Sequence, residues 1–409
     1  MTSHHYDFLA RLARPGERKV VLLVLDGVGD LRSAEQPKTA LEAAATPNLD
    51  ALATRSALGR IVPVLPGVTP GSGPGHLALF GYDPTEPATD IGRGVLEALG
   101  LEIEIGPRDV AIRGNFATAD GEGNLSDRRA GRIPTAECRR LCERLREGLA
   151  AEPIPGLEVL VAAGEGYRFV LRLRGEDLSA TVADTDPQKL GVPPLDPRAT
   201  APDGEATAAL LKDLIAQLHT VLADEPKANR VLLRGISQRP DLPSMADLYR
   251  MRLGAFAGYP LYRGVASVCG MEVVPCGKRI GDILDTVSER WADFDYFFLH
   301  VKQTDMMGED GNLAGKVEVL EEVDAALPRL LELGPGALAI TGDHSTPAPM
   351  KAHSWHPVPL LLSSKRCFVD DTSAFDEIQC TRGHLATFPA HQLLGLMLAN
   401  AGRLAKFGA

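Results

Sequence analysis

Long apolar runs and aromatic residues are both scarce in this sequence. Phe, Trp and Tyr make up 5% of the 409 residues, and no apolar stretch approaches the roughly 20 residues that a membrane-spanning helix needs. The N-terminal residues MTSHHYDFLARLARPGERK lack the apolar core of a signal peptide. We therefore expect a cytoplasmic protein with no membrane partner.

Cysteine motifs and an excess of basic charge are also missing. The six cysteines form no Cys-x-x-Cys pair and no zinc-ribbon spacing, which suits reduced thiols better than a disulfide framework. The formal net charge is -11, whereas proteins that bind nucleic acid carry a basic surface. We therefore expect no nucleic acid partner, although a local basic pocket is compatible with this charge.

The composition that remains is that of an ordinary globular protein. Hydrophobic residues make up 44% and charged residues 24%, and the mean hydropathy is -0.04. A chain of 409 residues exceeds the length that one hydrophobic core normally covers. Two domains are therefore expected.

Alternation of apolar runs with helical segments predicts an α/β fold. Residues 19–25 contain a continuous aliphatic run, which is typical of a central parallel strand that is buried on both faces. Residues 295–301 and 337–341 predict two further apolar strands. Residues 60–65 and 357–362 predict two further strands of the same domain. A parallel β/α pattern of this kind indicates a sheet flanked by helices.

A different pattern occupies the middle of the chain. It predicts short alternating strands at residues 92–116, helices at 134–150 and 206–223, a hairpin at 159–175 and a strand end at 178–188. We interpret residues 93–250 as a smaller α+β domain inserted into a discontinuous domain of residues 1–92 and 251–409.

Acidic residues follow three of the predicted parallel strands. In open α/β sheets, functional groups lie beyond the carboxyl ends of such strands. A buried cluster of carboxylates would repel itself unless cations neutralised it, and imidazole and carboxylate groups are ligands for Zn, Mn or Mg. The candidates, whose number suggests two divalent ions, are Asp26, Asp305, Glu309, Asp343, His344 and His353. Each one alone is more often a helix cap or a hydrogen-bonding partner.

The stretch TPGSGPGHLALFGYDP at residues 69–84 sets Ser72 between two glycines. Glycine allows a tight turn, so the serine could stand at the start of a helix, where backbone N–H groups favour an anion. Such clusters are most often plain turns. On this local pattern Ser72 is either a turn residue or a nucleophile, and His76 is either its base or a structural residue.

Several motifs occur in a fixed order along nearly the whole chain. They include VLLVLDGVGD around Asp26, GSGPGHLALFGYDP around Ser72, DRRAGRI around Arg128, TDMMGEDGN around Asp305, and TGDHSTPAPMKAHSWHPVP around Asp343. In these motifs the chain resembles the archaeal type of cofactor-independent phosphoglycerate mutases, which belong to the alkaline phosphatase superfamily. The resemblance implies an alkaline-phosphatase-like, mostly parallel sheet flanked by helices, with the inserted smaller domain.

The resemblance also implies a role for each residue of the metal site. Ser72 is implied as the nucleophile. One ion is implied to be held by Asp26, Ser72, Asp343 and His344, and the other by Asp305, Glu309 and His353. Many relatives have histidine at position 309, so Glu309 either makes the site harder or is not a ligand. A harder site favours Mn or Mg, with Zn and Co as the alternatives.

Substrate-binding residues are implied in the same way, as Asp127, Arg128, Arg129, Arg168, Arg234 and Arg263. Arginine grips phosphate and carboxylate groups with paired N–H donors, although most arginines are simply solvated surface residues. Tyr167 and Gln188 stand where relatives often have histidine, which leaves the acid/base partners open. Arg263 stands where lysine is common and keeps the positive charge.

The implied activity is the interconversion of 2-phosphoglycerate and 3-phosphoglycerate in glycolysis or gluconeogenesis, through a phosphoserine and without bisphosphoglycerate. The inserted domain would clamp the substrate and exclude water. Metal coordination would activate Ser72 without a base, so His76 is expected to be mainly structural. The alternatives are another metal-dependent phosphotransferase or phosphatase, such as a homoserine-kinase-like enzyme, or a catalytically silent metal- and phosphate-binding homologue. The expected partner is the small-molecule phosphoglycerate, and the chain is a monomer or a homo-oligomer.

Overall fold

The computed structural model describes residues 5–408 of the chain. The α-helices are α1 (His5–Leu12), α2 (Ala40–Ala43), α3 (Pro47–Ala53), α4 (Ser72–Leu79), α5 (Arg93–Gly100), α6 (Thr135–Ala151), α7 (Glu205–Val221), α8 (Met245–Tyr249), α9 (Pro260–Val268), α10 (Ile280–Glu289), α11 (Gln303–Glu309), α12 (Leu313–Glu332), α13 (Glu377–Arg382) and α14 (Leu393–Ala401). Within the described range, none of these helices has both the length and the apolar character needed to cross a membrane.

The strands are β1 (Val20–Leu25), β2 (Ala57–Val62), β3 (Val110–Ala119), β4 (Leu125–Asp127), β5 (Leu157–Ala163), β6 (Arg168–Gly175), β7 (Arg230–Gln238), β8 (Leu253–Ala257), β9 (Glu272–Val273), β10 (Tyr296–Val301), β11 (Ala337–Thr341), β12 (Val358–Ser363) and β13 (Thr387–Pro389). The chain forms two compact units. One contains the chain up to Asp90 and from Leu242 onward, and the other is Ile91–Asp241.

The first unit is built on a sheet of order β13-β2-β12-β11-β1-β10-β8-β9. Its centre is parallel, since β1 pairs with β10 on one side and with β11 on the other. Every residue of β1 is buried, because a central parallel strand is covered on both faces. Only β12 runs antiparallel to its neighbours, β11 and β2. The prediction of an α/β fold with a mostly parallel sheet flanked by helices is confirmed.

The predicted strand at residues 60–65 was wrong in its limits. The strand β2 starts at Ala57 and ends at Val62. Pro63 follows directly, and proline has no N–H group with which to continue a ladder of backbone hydrogen bonds.

The second unit contains an antiparallel sheet in which β3 pairs with β4, β6 and β7, and β5 pairs with β6. The hairpin β5–β6 and the helices α6 and α7 lie where the sequence predicts them. One face of the sheet packs against these two helices in a core that includes Phe116, Phe169 and Leu214. The other face carries polar side chains, among them Arg113 and Asn115 of β3.

Two predictions within this unit were wrong. The start of the segment 92–116 forms the helix α5 rather than alternating strands, because Val95 and Ala98 are buried three residues apart, a helical spacing. The segment 178–188 forms an isolated bridge at Val182 rather than a strand. A polar side chain of this segment forms a hydrogen bond with β7 instead: Oδ1 of Asp184 accepts from the N–H of Gly235 at 2.7 Å.

Candidate active site

Three neighbouring parallel strands bring acidic side chains to one edge of the first unit's sheet. Asp26 directly follows β1, Asp343 lies two residues beyond β11, and Asp305 lies in α11, which follows β10. All three side chains are buried. Because buried charges are costly unless they are paired, this edge requires cations or proton donors.

The first group of candidate ligands is Asp26, Asp343 and His344, whose ligand atoms lie within 4.8 Å of one another. Nε2 of His344 lies 3.4 Å from Oδ1 of Asp26 and 3.2 Å from Oδ2 of Asp343. Within residues 5–408, neither Nε2 of His344 nor Oδ2 of Asp343 has a hydrogen-bond partner, although both are buried. Two orphaned polar atoms that face each other fit a metal ion held between them.

The protonation of His344 follows from its neighbour Thr346, which sequence reasoning missed. The Thr346 hydroxyl makes a short hydrogen bond to the Asp305 carboxylate, to which it must donate. Its oxygen therefore accepts from Nδ1 of His344, at 2.9 Å. The Nε2 lone pair is then free for a metal, which is how hydrogen bonding fixes the tautomer of histidine ligands.

The second group is Asp305, His344 and His353. Nε2 of His353 lies 3.6 Å from Oδ1 of Asp305, and the rings of the two histidines stack with their centroids 3.6 Å apart. Glu309 is less closely placed: its Oε1 lies 3.8 Å from Nε2 of His353, and its side chain is 54% exposed. The structure thus brings Glu309 to the rim of this group rather than into it.

Lys302 lies between the two groups and was missed by sequence reasoning. Its Nζ is 2.5 Å from Oδ2 of Asp305 and 3.3 Å from Oδ1 of Asp26. Burial lowers the pKa of Lys302, but Asp26, Tyr262 and Asp305 outweigh burial and raise it. The sequence did contain a signal for Lys302, because a positively charged residue there directly follows a buried strand and precedes Asp305 by three residues.

Two buried histidines complete the surroundings of Asp26. Nε2 of His300 lies 2.8 Å from Oδ2 of Asp26. Burial acts to raise the pKa of Asp26, but the His300 hydrogen bond and Lys302 hold it well below its usual range. Nδ1 of His76 contacts the Ser72 carbonyl at 2.8 Å and lies 3.2 Å from Oδ2 of Asp343. His76 therefore connects the α4 backbone to the carboxylate cluster.

Ser72 is the first residue of α4 and is partly buried. Just before it, the Pro70 carbonyl lies 3.0 Å from Nδ1 of His353. Just after it, Gly75 lets α4 approach Asp343, because a Cβ at position 75 would stand only 2.5 Å from the Asp343 carbonyl oxygen. These contacts fix the start of α4 beside both groups of candidate ligands.

Arg263, the one implied substrate residue in this unit, lies on α9 next to Tyr262. The Tyr262 ring stacks on His300 with a centroid distance of 3.7 Å and lies 5.3 Å from the Lys302 ammonium. The position of α9 is thereby tied to the residues that surround Asp26.

The polar face of the second unit's sheet carries three arginines. Arg113 on β3 pairs with Arg234 on β7, and Asn115, two residues further along β3, pairs with Arg168 on β6. Residues two apart on a strand share a face. Among the described residues, the Nε atoms of all three arginines are buried without a hydrogen-bond partner. Donors left unsatisfied in this way fit an anion.

Arg113 was absent from the sequence predictions, although its alternation with Asn115 in the strand VAIRGNF was a usable signal. Burial lowers the pKa of Arg113, and the nearby Arg168 and Arg234 lower it further. Glu97 opposes this effect through an ion pair of 3.0 Å. Arg113 therefore sits in a locally positive environment.

The remaining implied residues have partners of their own. Arg128 forms two hydrogen bonds of 2.7 Å to Asp186, which also lies 3.6 Å from Arg234. The Asp127 carboxylate accepts from the N–H groups of Arg129 and Gly131. Asp127 thus shapes the turn that presents Arg128 and the exposed Arg129.

The departures at Tyr167 and Gln188 lie close to these arginines. The Arg168 guanidinium lies 5.6 Å from the Tyr167 ring centroid. Gln188 has a φ of 58°, and its N–H donates to Asp186 at 2.9 Å. Gln188 thus contacts the carboxylate that also binds Arg128, whereas Tyr167 packs against the core on the other face of the sheet.

The fold and these clusters define an α/β protein with a candidate centre for divalent metal ions at the edge of its parallel sheet. A sequence profile described as 2,3-bisphosphoglycerate-independent phosphoglycerate mutase matches residues 53–228. A protein of Thermotoga neapolitana named "Probable 2,3-bisphosphoglycerate-independent phosphoglycerate mutase" is 49% identical over 402 residues, which cover 98% of both chains. A protein of the same name from Thermus thermophilus is 50% identical over 407 residues, 99% of both chains.

Solved structures agree with these relatives. A protein of Pyrococcus horikoshii matches with a TM-score of 0.78 and 28% identity, over 97% of this chain and 100% of its own. The cofactor-independent phosphoglycerate mutase of Thermoplasma acidophilum matches with a TM-score of 0.76 and 28% identity, over 94% and 100%. This chain belongs to the family of 2,3-bisphosphoglycerate-independent phosphoglycerate mutases.

Proposed function

We propose that the protein interconverts 2-phosphoglycerate and 3-phosphoglycerate by way of a phosphoserine at Ser72, in the cytoplasm, as a step of glycolysis or gluconeogenesis. The observation that carries this proposal is the pair of orphaned, buried atoms Nε2 of His344 and Oδ2 of Asp343, beside the start of α4. Family membership supplies the substrate class.

Two divalent ions are proposed as the cofactors. Asp26, Ser72, Asp343 and His344 would hold one ion, and Asp305, His353 and, at the rim, Glu309 would hold the other. When bound, such ions lower the pKa of a coordinated hydroxyl and neutralise charge on phosphoryl oxygens. With four carboxylates and two imidazoles in the set, oxygen ligands predominate, which favours Mn or Mg over Zn and Co.

The protein's own groups supply orientation and charge. Ser72 stands at the start of an eight-residue helix, where backbone N–H groups point towards an anion. The Lys302 ammonium, held between Asp26 and Asp305, adds a fixed positive charge. In a buried site, such preorganised charge stabilises negative charge that develops on a transferring phosphoryl group.

We further propose that the arginines of the second unit bind the anionic groups of the substrate. Within the described chain, the buried Nε of Arg168 has no hydrogen-bond partner. The buried Nε of Arg234 also makes no hydrogen bond, although it lies 3.7 Å from Oδ2 of Asp184. Arg128, Arg129 and Arg263 are proposed to assist, with Asp127 shaping the turn. Held in this way, glycerate would stay bound after it has given its phosphoryl group to Ser72, and it could take the group back on its other hydroxyl.

A coupled assay of the purified protein with Mn²⁺ or Mg²⁺ tests the proposal. The expected result is formation of 2-phosphoglycerate from 3-phosphoglycerate without added bisphosphoglycerate. Ser72→Ala is expected to abolish it, whereas Ser288→Ala, at an exposed serine on α10, keeps it. Release of inorganic phosphate in place of 2-phosphoglycerate would instead identify a phosphatase. Equal behaviour of the wild type and Ser72→Ala would identify a silent homologue.

A further inference from the structure

A cavity of about 200 Å³ lies at the edge of the first unit's sheet that is opposite to the candidate metal centre. Arg18 lies two residues before β1, and Gly336 directly precedes β11. These are the strands whose other ends lead to Asp26 and Asp343. The cavity is lined by Arg18, Gly334, Pro335, Gly336, Lys365, Arg366 and Asn400.

Three of the lining side chains are cationic, although the protein as a whole carries a formal charge of -11. Within the part of the chain that the structure describes, Arg18, Lys365 and Arg366 form no ion pair with an acidic side chain. Arg279, an exposed arginine of the same unit, is by contrast paired with Glu322 at 2.6 Å. The cavity therefore concentrates three cationic side chains, none of which is paired with a carboxylate of the described residues.

Two of the cations converge on one point. Nη1 of Arg18 lies 3.2 Å from the position that a Cβ of residue 402 would occupy, and Nη1 of Arg366 lies closer still. Gly402 has a φ of 73° and caps the C-terminus of α14, and its missing side chain leaves the space that both guanidinium groups share. Like charges this close raise each other's energy. An anion bound between them would remove that cost.

Helix ends account for only part of this charge. The helix α12 ends at Glu332 and α14 ends at Ala401, both next to the cavity. A helix C-terminus carries about half a negative charge, so the two ends together balance about one cation. With three cationic side chains present, the cavity stays positive even when the carboxylate of Glu332 is counted as well.

Hydrogen bonds fix the wall that carries two of the cations. The Ser364 hydroxyl donates to Oδ1 of Asn400 at 2.7 Å, and its oxygen accepts from the N–H of Arg366 at 2.9 Å. Nδ2 of Asn400 donates to the Leu396 carbonyl at 2.9 Å. The turn that follows β12 is thus tied to α14, so the site is largely formed before any ligand arrives.

We propose that this cavity binds a small phosphate-bearing anion. Guanidinium groups pair with phosphate oxygens through parallel N–H donors, and the lysine adds a point charge. Pockets for drug-sized ligands measure about 300–1,000 Å³, so 200 Å³ suits inorganic phosphate, pyrophosphate or a short phosphate ester. The site does not depend on the proposed function, since it lies at the far edge of the sheet from Ser72.

Protection of Lys365 from acylation tests the proposal locally, whatever binds at the candidate active site. Full-length, metal-loaded protein is treated with a limiting acylating reagent, with and without pyrophosphate, and the modified lysines are quantified by mass spectrometry. At ten times the dissociation constant, pyrophosphate is expected to slow the acylation of Lys365 about tenfold. The exposed Lys38, which has no side-chain partner in the described chain, is expected to react at an unchanged rate.

Matched variants distinguish binding in the cavity from a general salt effect. Arg366→Gln removes a charged donor. The pyrophosphate concentration that gives half-maximal protection of Lys365 is therefore expected to rise about tenfold or more. Arg382→Gln, at an exposed arginine on α13, is expected to leave the protection unchanged. If pyrophosphate protects Lys365 no better than chloride of equal ionic strength, or if both variants behave like the wild type, the proposal is wrong.

The same readout identifies the anion. Inorganic phosphate and pyrophosphate are expected to protect Lys365 at lower concentrations than citrate, because citrate carries carboxylates in place of phosphate oxygens. Stronger protection by citrate would overturn the assignment to phosphate-bearing ligands.

Discussion

The Lys302 ammonium bridges the carboxylates of Asp26 and Asp305, at 3.3 Å and 2.5 Å, in the place where two candidate metal groups meet. Among the described lysines and arginines, Lys302 is the one that forms ion pairs with these two carboxylates. Removal of one partner from a buried ion pair typically costs about 3–5 kcal/mol. The charge balance of the centre is therefore shared between a lysine and any bound ions.

We predict that Lys302→Met lowers the free energy of unfolding by about 3 kcal/mol in the presence of a chelator. Mn²⁺ is expected to recover much of this loss, because bound ions then balance the carboxylates. Urea denaturation with EDTA and with Mn²⁺ measures both values. Lys38→Met, at an exposed lysine, is expected to stay within about 0.5 kcal/mol of the wild type. An equal loss with and without Mn²⁺ would contradict the prediction.

A second prediction concerns Glu309 at the rim of the group formed by Asp305, His344 and His353. If its oxygen completes the coordination of an ion there, Glu309→Ala weakens Mn²⁺ binding about 10–100-fold, the usual effect of losing a supporting group. Asp310→Ala removes the same charge one residue away, from a side chain that is also exposed. Calorimetric Mn²⁺ titrations compare the two variants, and equal affinities would show that Glu309 acts only through its charge.

The arginine face of the second unit predicts a difference between two arginines of β6. Arg168→Gln removes a buried donor beside Arg113 and Arg234, and we expect KM for 3-phosphoglycerate to rise about tenfold or more. Arg174, further along the strand, is bonded to Asp109 at 2.7 Å and 2.8 Å. Steady-state kinetics of Arg174→Gln are expected to match the wild type. Similar KM values for both variants would remove Arg168 from substrate binding.

The close approach of α4 to the carboxylate cluster predicts a severe effect of one methyl group. Gly75→Ala would push the start of α4 away from the Asp343 carbonyl, at a cost of about 1–3 kcal/mol of stability. Activity is expected to fall further than stability, because Ser72 moves with the helix. Thermal unfolding and initial rates measure the two effects. The control is Gly281→Ala, where the added Cβ meets no atom within 4 Å and stability is kept or slightly raised.

A pH-dependent stability is predicted from Glu377, which accepts hydrogen bonds from the Thr39 hydroxyl at 2.6 Å and the Asp30 N–H at 3.0 Å. Burial raises the pKa of Glu377 to about 7. The hydrogen bond from Thr39 and the nearby Lys316 lower this pKa, but burial outweighs them. The folded protein therefore keeps a proton that the unfolded chain loses above its ordinary pKa of 4.5. The free energy of unfolding then falls between pH 4.5 and 7 by about 1.4 kcal/mol per unit from this group, and levels off above pH 7.

Glu377→Gln is expected to remove this slope. The free energy of unfolding of the variant therefore rises relative to that of the wild type as the pH increases from 5 to 7. Glu318→Gln, at an exposed glutamate on α12, is expected to keep the slope of the wild type. Urea denaturation at a series of pH values measures the difference. Parallel curves for the wild type and Glu377→Gln would show that Glu377 titrates normally.

Much of the parallel sheet could be predicted from the sequence because its central strands are continuous apolar runs. The aspartates that follow β1 and β11, and Asp305 in α11, were predictable for the same reason, since chain direction fixes which edge they share. The helix α5 could not be predicted as readily, because the apolar spacing of LEALGLEIEI fits short strands as well as a helical turn. The packing of this segment against β3 and β7 favours the helix over the strands.

Residues that act through other residues were the ones that sequence reasoning missed. Lys302, Thr346 and Arg113 are ordinary in their local sequence, and each acquires its role from partners far along the chain. Thr346 meets Asp305 from 41 residues away, and Lys302 meets Asp26 from 276. Only the assembled sheet brings such groups within hydrogen-bonding distance.

The central strand β1 is made early in synthesis, yet both of its neighbours, β10 and β11, are encoded after the second unit. On the ribosome, the apolar segment VVLLVL therefore has to wait for more than half of the chain before it finds a pairing partner. The second unit, Ile91–Asp241, is continuous and can form its own core in that interval. Because pairings of such long range form slowly, β1 is a strand of the central sheet that stays unpaired for a large part of synthesis.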